Sequence, residues 1–584
     1  LEELRRGLRE GDRVPTLLWQ TRYLRSVQTR WLLRLILGNR PYDHTGLYAQ
    51  IRNWFVPRGY AWMDIDVRGT GASTGHGICP FSPDEVKDGA EVVDWIIAQP
   101  WSNGRVGSMG VSYAGSTAEM LLINRHPAVK AIAPLYSMFD VYTDIAFPGG
   151  IHAVRFTEDW HHVNISLDSN APENIAGSWV KLLITGVSPV QEDTDRSLLR
   201  QALHDHERNY NIHQQALGIR FRDDISPDDP RTKDAGFTDF AGHPVDPSGS
   251  IGLFSPHNYI PDIEASGAAI YSYTGWFDGA YVHAAIKRFM SVHTPGSRLI
   301  IGPWGHGGGW EFDPRSGSRK TFFDHNAEWL RFFDRYLKDT PTGIDDEPPV
   351  HYFTLVEEKW KTAESWPPPS TRQVLYLGGE HLLSDHAPEN SEGNDEYRVD
   401  PTHGTGPRSR FRVQTLPDKP VAYPDRKEQD KKLLVYQSAP LTSDMEVTGH
   451  PVVTLFVEST ATDGTFFVYL EDVGPDGTVA HVTEGELRAI HRKLSSEKPP
   501  YATAVPYRTF KRADAMPLVP GEVADLTFDL LPTSYLFQKD HSIRLAIAGA
   551  DLTHFGPIDS PPPTLRVHHA ARHPSQILLP VVGK

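Results

Sequence analysis

The stretch "GRVGSMGVSYAGSTAEMLLINR" (residues 104–125) decides how the rest of this chain is read. Its first half is small and apolar, as in a strand buried on both faces. Its second half sets Ala118, Leu121 and Leu122 on one helical face. Ser112 stands at the join. A serine at a sharp strand-to-helix turn is the nucleophile elbow of an α/β-hydrolase sheet. Yet Ser112 misses the strict G-x-S-x-G pattern: Gly110 lies two before it, Ala114 two after, and Gly115 three after. The physical requirement is small size where helix and strand backbones approach, and Ala meets it.

The strict pattern occurs instead at Gly71-Ala72-Ser73-Thr74-Gly75. In 584 residues, with Gly and Ser each near 7%, about 0.2 such matches arise by accident, so context decides. Ser73 has a strand before it but a loop after it, "RGTGASTGHGICPF" (68–81), reaching Ser82 before any helix begins. The elbow belongs to Ser112. A lone serine is a weak nucleophile and needs a base and an orienting acid. In this layout they follow the serine as acid and then histidine, after later strands. Asp278 follows "YSYTGWF" and His306 follows "RLIIGPWG", in that order. Singly, Asp278 reads equally as a helix N-cap and His306 as one of 27 histidines; the ordered trio carries the weight.

Outward from the elbow, 15–19, 61–67, 128–135, 268–276 and 298–304 read as strands. Helices alternate with them at 82–99, with Ser82 as N-cap and Pro83 in the first turn, and at 322–339. Alternation of this kind predicts an α/β layer fold with a mostly parallel sheet. Residues 141–250 lack strand runs and carry helical stretches such as 178–187 and 195–206, predicting an inserted helical cap. From "DDEPPVHYF" (345–353) onward the texture is short alternating runs and turns, which predicts an all-β jelly roll. The expected organisation is 1–140 and 251–345 as the α/β-hydrolase core, 141–250 as the cap and 346–584 as the jelly roll. Residues 385–432, polar and rich in Pro and Gly, read as a long surface loop.

A net charge of −16 argues against nucleic acid or an anionic membrane as main partner. Cys79 is the single cysteine, so no intrachain disulfide and no cysteine metal site can form. The longest apolar run, "WLLRLILG" (31–38), is too short to span a membrane and is interrupted by Arg34. With no signal or transmembrane segment seen, a cytoplasmic location is favoured. The chain opens at Leu1 without Met, and an earlier segment is expected to precede it. His161, His162, His568, His569 and His573 lack ligand spacing, and the acidic clusters 223–229 and 343–347 lack that of a calcium loop. No metal and no cofactor is expected.

These residues resemble the cocaine esterase/glutaryl acylase-like hydrolases, which include α-amino-acid ester hydrolases and X-prolyl dipeptidyl peptidases. "GVSYAG" fits the serine motif G-x-S-Y-x-G of that family, and this accounts for Gly at +3. "GYAWMDIDVRGTGASTG", "TGWFDGAYV" and "GPWGH" are similar to its loop, acid and histidine motifs. "PLTSDMEVTGHP", "VTEGELRA" and "LLPTSYLF" are similar to its C-terminal jelly roll. The resemblance implies Ser112 as nucleophile, His306 as base and Asp278 as acid, with an oxyanion hole of the Tyr113 N–H and the Tyr23 hydroxyl. It gives the RGTGAST loop a structural role, with Arg68 paired to a carboxylate.

In two places the chain departs from the pattern. Arg22 stands where the family has Pro before the tyrosine, removing a backbone constraint. The opening strands with a "DG-x-x-L" pattern are absent from 1–14 and are expected to precede this numbering. The implied activity is acyl ester or amide hydrolysis of a small molecule, first as a carboxyl or aryl esterase. The alternatives are α-amino ester hydrolase or β-lactam acylase, for which Glu158, Asp159, Glu311 and Asp313 are candidate ammonium anchors, and X-prolyl dipeptidyl peptidase. A jelly-roll ligand-binding protein with an inactive core is the non-enzyme alternative. The family loosely implies a homo-oligomer.

Overall fold

The computed structural model describes residues 11–30, 49–177, 181–225, 254–308, 323–415, 420–558 and 561–583. The apolar runs found above form one eight-stranded sheet. In chain order its strands are β1 (Val14–Thr21), β2 (Ala61–Asp66), β3 (Ser102–Val111), β4 (Val129–Leu135), β5 (Ala269–Phe277), β6 (Arg298–Gly305), β7 (Val350–Thr354) and β8 (Lys359–Ala363). The spatial order is β8-β7-β6-β5-β4-β3-β1-β2. All neighbours are parallel except β7 and β8, which are antiparallel.

The helices that matter for the site are α1 (Pro83–Ile97), α2 (Tyr113–Met120), α3 (Val154–Asp168), α4 (Ser197–His206), α5 (Tyr281–Ser291) and α6 (His325–Lys338). Ser82 caps α1 as the sequence predicts, its hydroxyl accepting from the Glu85 N–H at 3.3 Å. α1 and α5 cover one face of the sheet through Val86, Val93, Ile96 and Ala284. α6 covers the other through Trp329, Phe332, Phe333 and Leu337. Coverage on both faces explains why β1 and β5 are buried at every residue and read as continuous apolar runs.

Two expectations are corrected. Within the cap, Ile184–Val187 is a strand, antiparallel to Val27–Thr29, rather than the end of a helix over 178–187. Its β-branched residues favour the extended state, and Gly186 at φ 108° is incompatible with a helix. The eight-stranded sheet itself continues past 345: β7 pairs with β6, and β8 carries it on to Ala363. The stretch 385–432 is not one surface loop. It contributes the strand Asn394–Arg398, paired to Thr564–Ala570, and it buries Arg410 and Arg426 against Glu484 and Glu471. Paired charges made a partly buried segment look solvated.

Beyond Ala363 the chain is all β apart from short 3-10 turns, with fourteen strands linked in one network among the described residues. Val452–Ser459 alternates buried and half-buried residues, as expected of a strand in a sandwich. The core of this β region is continuous with that of the eight-stranded sheet: Trp276, Val282 and Ile286 pack in the same cluster as Leu455, Leu545 and Ile547. The segment 31–38 and part of the cap (226–253) lie outside the described residues. No helix among the described residues is long and apolar enough to cross a membrane.

Candidate active site

Ser112 connects β3 directly to α2, in a backbone conformation of φ 61° and ψ −119°. A non-glycine residue held there costs on the order of 1–3 kcal/mol and persists only where its surroundings enforce it. Here the Ser112 N–H donates to the Leu135 carbonyl at 2.9 Å, and its own carbonyl accepts from Ser116 N–H at 3.0 Å. The glycine spacing follows from packing. A Cβ on Gly110 would lie 2.4 Å from the Ala114 methyl, and one on Gly115 would lie 2.7 Å from the Gly110 carbonyl oxygen. The methyl of Ala114 occupies the space that Gly110 leaves, so Ala is tolerated at +2 while +3 requires glycine.

Asp278 and His306 immediately follow β5 and β6, at the same end of the sheet as Ser112. His306 Nδ1 lies 2.7 Å from Asp278 Oδ1, and the Asp278 side chain is fully buried. The Asp278 carbonyl accepts from Tyr281 N–H at 3.0 Å and from the Gln414 amide at 3.2 Å. Gln414 comes from the region expected to be a loop and reaches back to the acid. Ser112 and His306 both line one cavity of about 380 Å³ beneath the cap. Tyr23 and Tyr113 line it too, so the five residues singled out from the sequence converge, four on the cavity and Asp278 behind His306.

Burial raises the Tyr23 phenol above its usual pKa, an effect countered by the charge of Arg22 and by the hydrogen bond from Trp160. The indole N–H of Trp160 donates to the Tyr23 oxygen at 2.9 Å. An indole can only donate, so the Tyr23 hydroxyl proton remains available on the Ser112 side. Tyr281 is a residue that sequence reasoning missed: it lines the cavity together with Ser112, and its ring packs 5.7 Å from that of His306. Its position in "TGWFDGAYV", on the turn into α5, was the one available signal. The Tyr113 hydroxyl points away from the serine and donates to Glu85 at 2.8 Å; burial pushes the Glu85 carboxyl up to about 7.

Ser73 lies in a different setting. Its hydroxyl donates to the Asp66 carbonyl at 2.7 Å, and its own carbonyl faces His206 Nε2 of the cap at 2.9 Å. Gly75 N–H donates to Asp205, Asn209 bridges Gly69 and Gly77, and Arg68 pairs with Asp88 at 2.8 Å. The loop is where the cap docks.

No Asp, Glu, Lys or Arg side chain lines the cavity among the described residues. Phe156, Trp160, Val163 and Leu167 of α3 face Phe81, Met138 and Ile145 across it. Of the candidate ammonium anchors, Glu158 pairs with Arg155 and Asp159 with Arg412; Glu311 and Asp313 lie outside the described residues. His162 faces the Asn174 carbonyl, while His568 and His569 pair with Glu458 and Asp395. One other group, His283, His450 and Asp529, brings three potential ligand atoms within 4.8 Å. There Trp366 donates to His450 Nε2 at 3.1 Å, which leaves the proton of a neutral ring on Nδ1, the atom facing His283. That tautomer offers no lone pair for an ion.

A serine at a strand-to-helix turn, on a sheet of this order with an Asp–His pair on later strand ends, defines the α/β-hydrolase class. Residues 8–226 and 250–308 match the X-Pro dipeptidyl-peptidase (S15) family, and 342–578 match the X-Pro dipeptidyl-peptidase C-terminal non-catalytic domain. The chain is 58% identical over 577 residues to "Putative serine esterase Mb1866c" of Mycobacterium bovis, covering 99% of this chain and 92% of that one. It is 26% identical over 592 residues to the cocaine esterase of Rhodococcus sp. (strain MB1 Bresler), covering 94% of each. Among solved structures, a CocE/NonD family hydrolase from Staphylococcus aureus superposes with a TM-score of 0.68 at 19% identity, over 98% of this chain and 89% of that one. The chain belongs to the S15 family of serine hydrolases.

Proposed function

We propose that the enzyme is a carboxylesterase for small esters with an uncharged, apolar acyl or alcohol part, acting through an acyl-enzyme on Ser112. Ser112 Oγ attacks the ester carbonyl while His306 takes its proton. Asp278 holds the Nδ1 proton and stabilises the imidazolium that forms. The oxyanion is held by the Tyr113 N–H at the start of α2 and by the Tyr23 hydroxyl. Collapse expels the alcohol with the proton from His306. Water, deprotonated by the same histidine, then releases the acid. The apolar cavity shared by Ser112 and His306 carries the substrate reading. Recognition of a free α-amine needs a carboxylate at the cavity wall, and the described wall has none.

A panel of p-nitrophenyl esters from acetate to decanoate, phenylglycine methyl ester with its des-amino analogue, and Gly-Pro-p-nitroanilide tests this. Burial of a methylene contributes about 0.8 kcal/mol, roughly fourfold in kcat/KM. The expected result is kcat/KM rising from acetate through hexanoate, with no preference for the amine-bearing ester. Val163→Trp, on the cavity wall, is expected to remove that rise while sparing acetate. Preferential hydrolysis of phenylglycine methyl ester or of the dipeptide anilide would overturn the reading.

A further inference from the structure

We propose that Arg22 is a positioning residue for the oxyanion hole, setting the Tyr23 hydroxyl through the cap helix α3; this rests on the Ser112 reading above. The guanidinium is 2% exposed, and a buried cation requires partners. It finds them on the cap. Its Nη2 donates to both carboxylate oxygens of Asp168, at 3.1 and 3.2 Å, and its Nη1 donates to the Tyr210 hydroxyl at 2.6 Å. It also lies 5.6 Å from the Trp160 ring and 5.9 Å from the Tyr113 ring, within cation–π range.

Trp160 and Asp168 are eight residues apart on α3, just over two turns, and so share one face. Asp168 anchors that face to Arg22, while Trp160 gives its only N–H to the Tyr23 oxygen. The ion pair therefore fixes the depth at which the indole meets the phenol. Adjacent residues of one short segment are gripped by one helix, Arg22 by charge and Tyr23 by a hydrogen bond. With Trp160 donating to its oxygen, the phenol keeps its proton to give, and a developing oxyanion on Ser112 is an acceptor within the cavity that both residues line. The positive charge beside it also favours the polarised phenol. Arg22 touches neither substrate nor Ser112 in this account; it acts through Tyr23.

A plain cap-pinning role would leave Tyr23 out, and a double-mutant cycle separates the two. Arg22→Met, Tyr23→Phe and the double variant are compared by kcat and KM on the preferred p-nitrophenyl ester and by melting temperature. The Ki of an alkyl trifluoromethyl ketone gives a fourth readout. That inhibitor forms a bond from Ser112 Oγ to its carbonyl carbon; the π pair moves to oxygen as the oxyanion, and the serine proton goes to His306. Arg22→Met is expected to lower kcat about 10- to 100-fold, to leave KM within about twofold, and to weaken the ketone in parallel with kcat. In the Tyr23→Phe background the same change is expected to cost less than threefold.

Losses that multiply in the double variant, or a rise confined to KM, would overturn the proposal in favour of cap pinning. Should Arg22→Met not fold, Asp168→Asn, which weakens the anchor of Arg22 on α3, replaces it in the cycle with the same expected non-additivity. If the wild-type enzyme formed no ketone adduct at Ser112, the underlying catalytic reading would fail instead.

Discussion

Asp278→Asn is expected to lower kcat by roughly 10³- to 10⁴-fold with little change in KM. The carboxylate oxygen lies 2.7 Å from His306 Nδ1 and is sealed from solvent. As an ion it can only accept, so it fixes the histidine proton on Nδ1 and leaves the Nε2 lone pair for the serine. An asparagine amide donates to Nδ1 instead and drives the proton onto Nε2, turning the base into a donor. The backbone does not account for the loss, since the Asp278 carbonyl stays held by Gln414 and Tyr281. Rates of purified variant and wild type on one p-nitrophenyl ester decide the matter; a loss under tenfold would remove Asp278 from the mechanism.

Tyr23→Phe is expected to lower kcat by about 10²- to 10³-fold, the effect of removing one oxyanion donor. The ring would still pack edge-on to Tyr113, 6.3 Å between centroids, so KM should hardly move. The change also strands the Trp160 N–H, which at a buried site costs about 1–3 kcal/mol and should appear as a lower melting temperature. Unchanged kcat with a lowered melting temperature would make Tyr23 structural.

What the sequence revealed and what it hid divide along the range of the interactions. The Ser112 elbow and the Ser82 cap are local patterns, each read from a few adjacent residues, while Asp278 and His306 were legible only through their order after the serine on later strand ends. The reason Ala114 is tolerated is also local, though it needed coordinates: a methyl fills the gap left by Gly110. Contacts across the chain were not legible. Gln414 meets Asp278 from 136 residues away, and Arg22 meets Asp168 from 146. Nothing in the texture of 385–432 announced a segment that reaches the active site. The sheet also ran past 345 because β7 and β8 look alike whether they extend a parallel sheet or begin a sandwich; pairing partners decide that. Arg22, at first a departure from a proline pattern, is one of the residues that join the cap to the segment carrying Tyr23.

The most direct test of the central assignment is labelling of the pure enzyme with a fluorophosphonate, followed by peptide mapping. One adduct is expected, on Ser112, lost in Ser112→Ala and retained in Ser73→Ala, since the native Ser73 hydroxyl is engaged with the Asp66 carbonyl in the cap-docking loop. Labelling that survives Ser112→Ala, or that disappears in a folded Ser73→Ala variant, would contradict it.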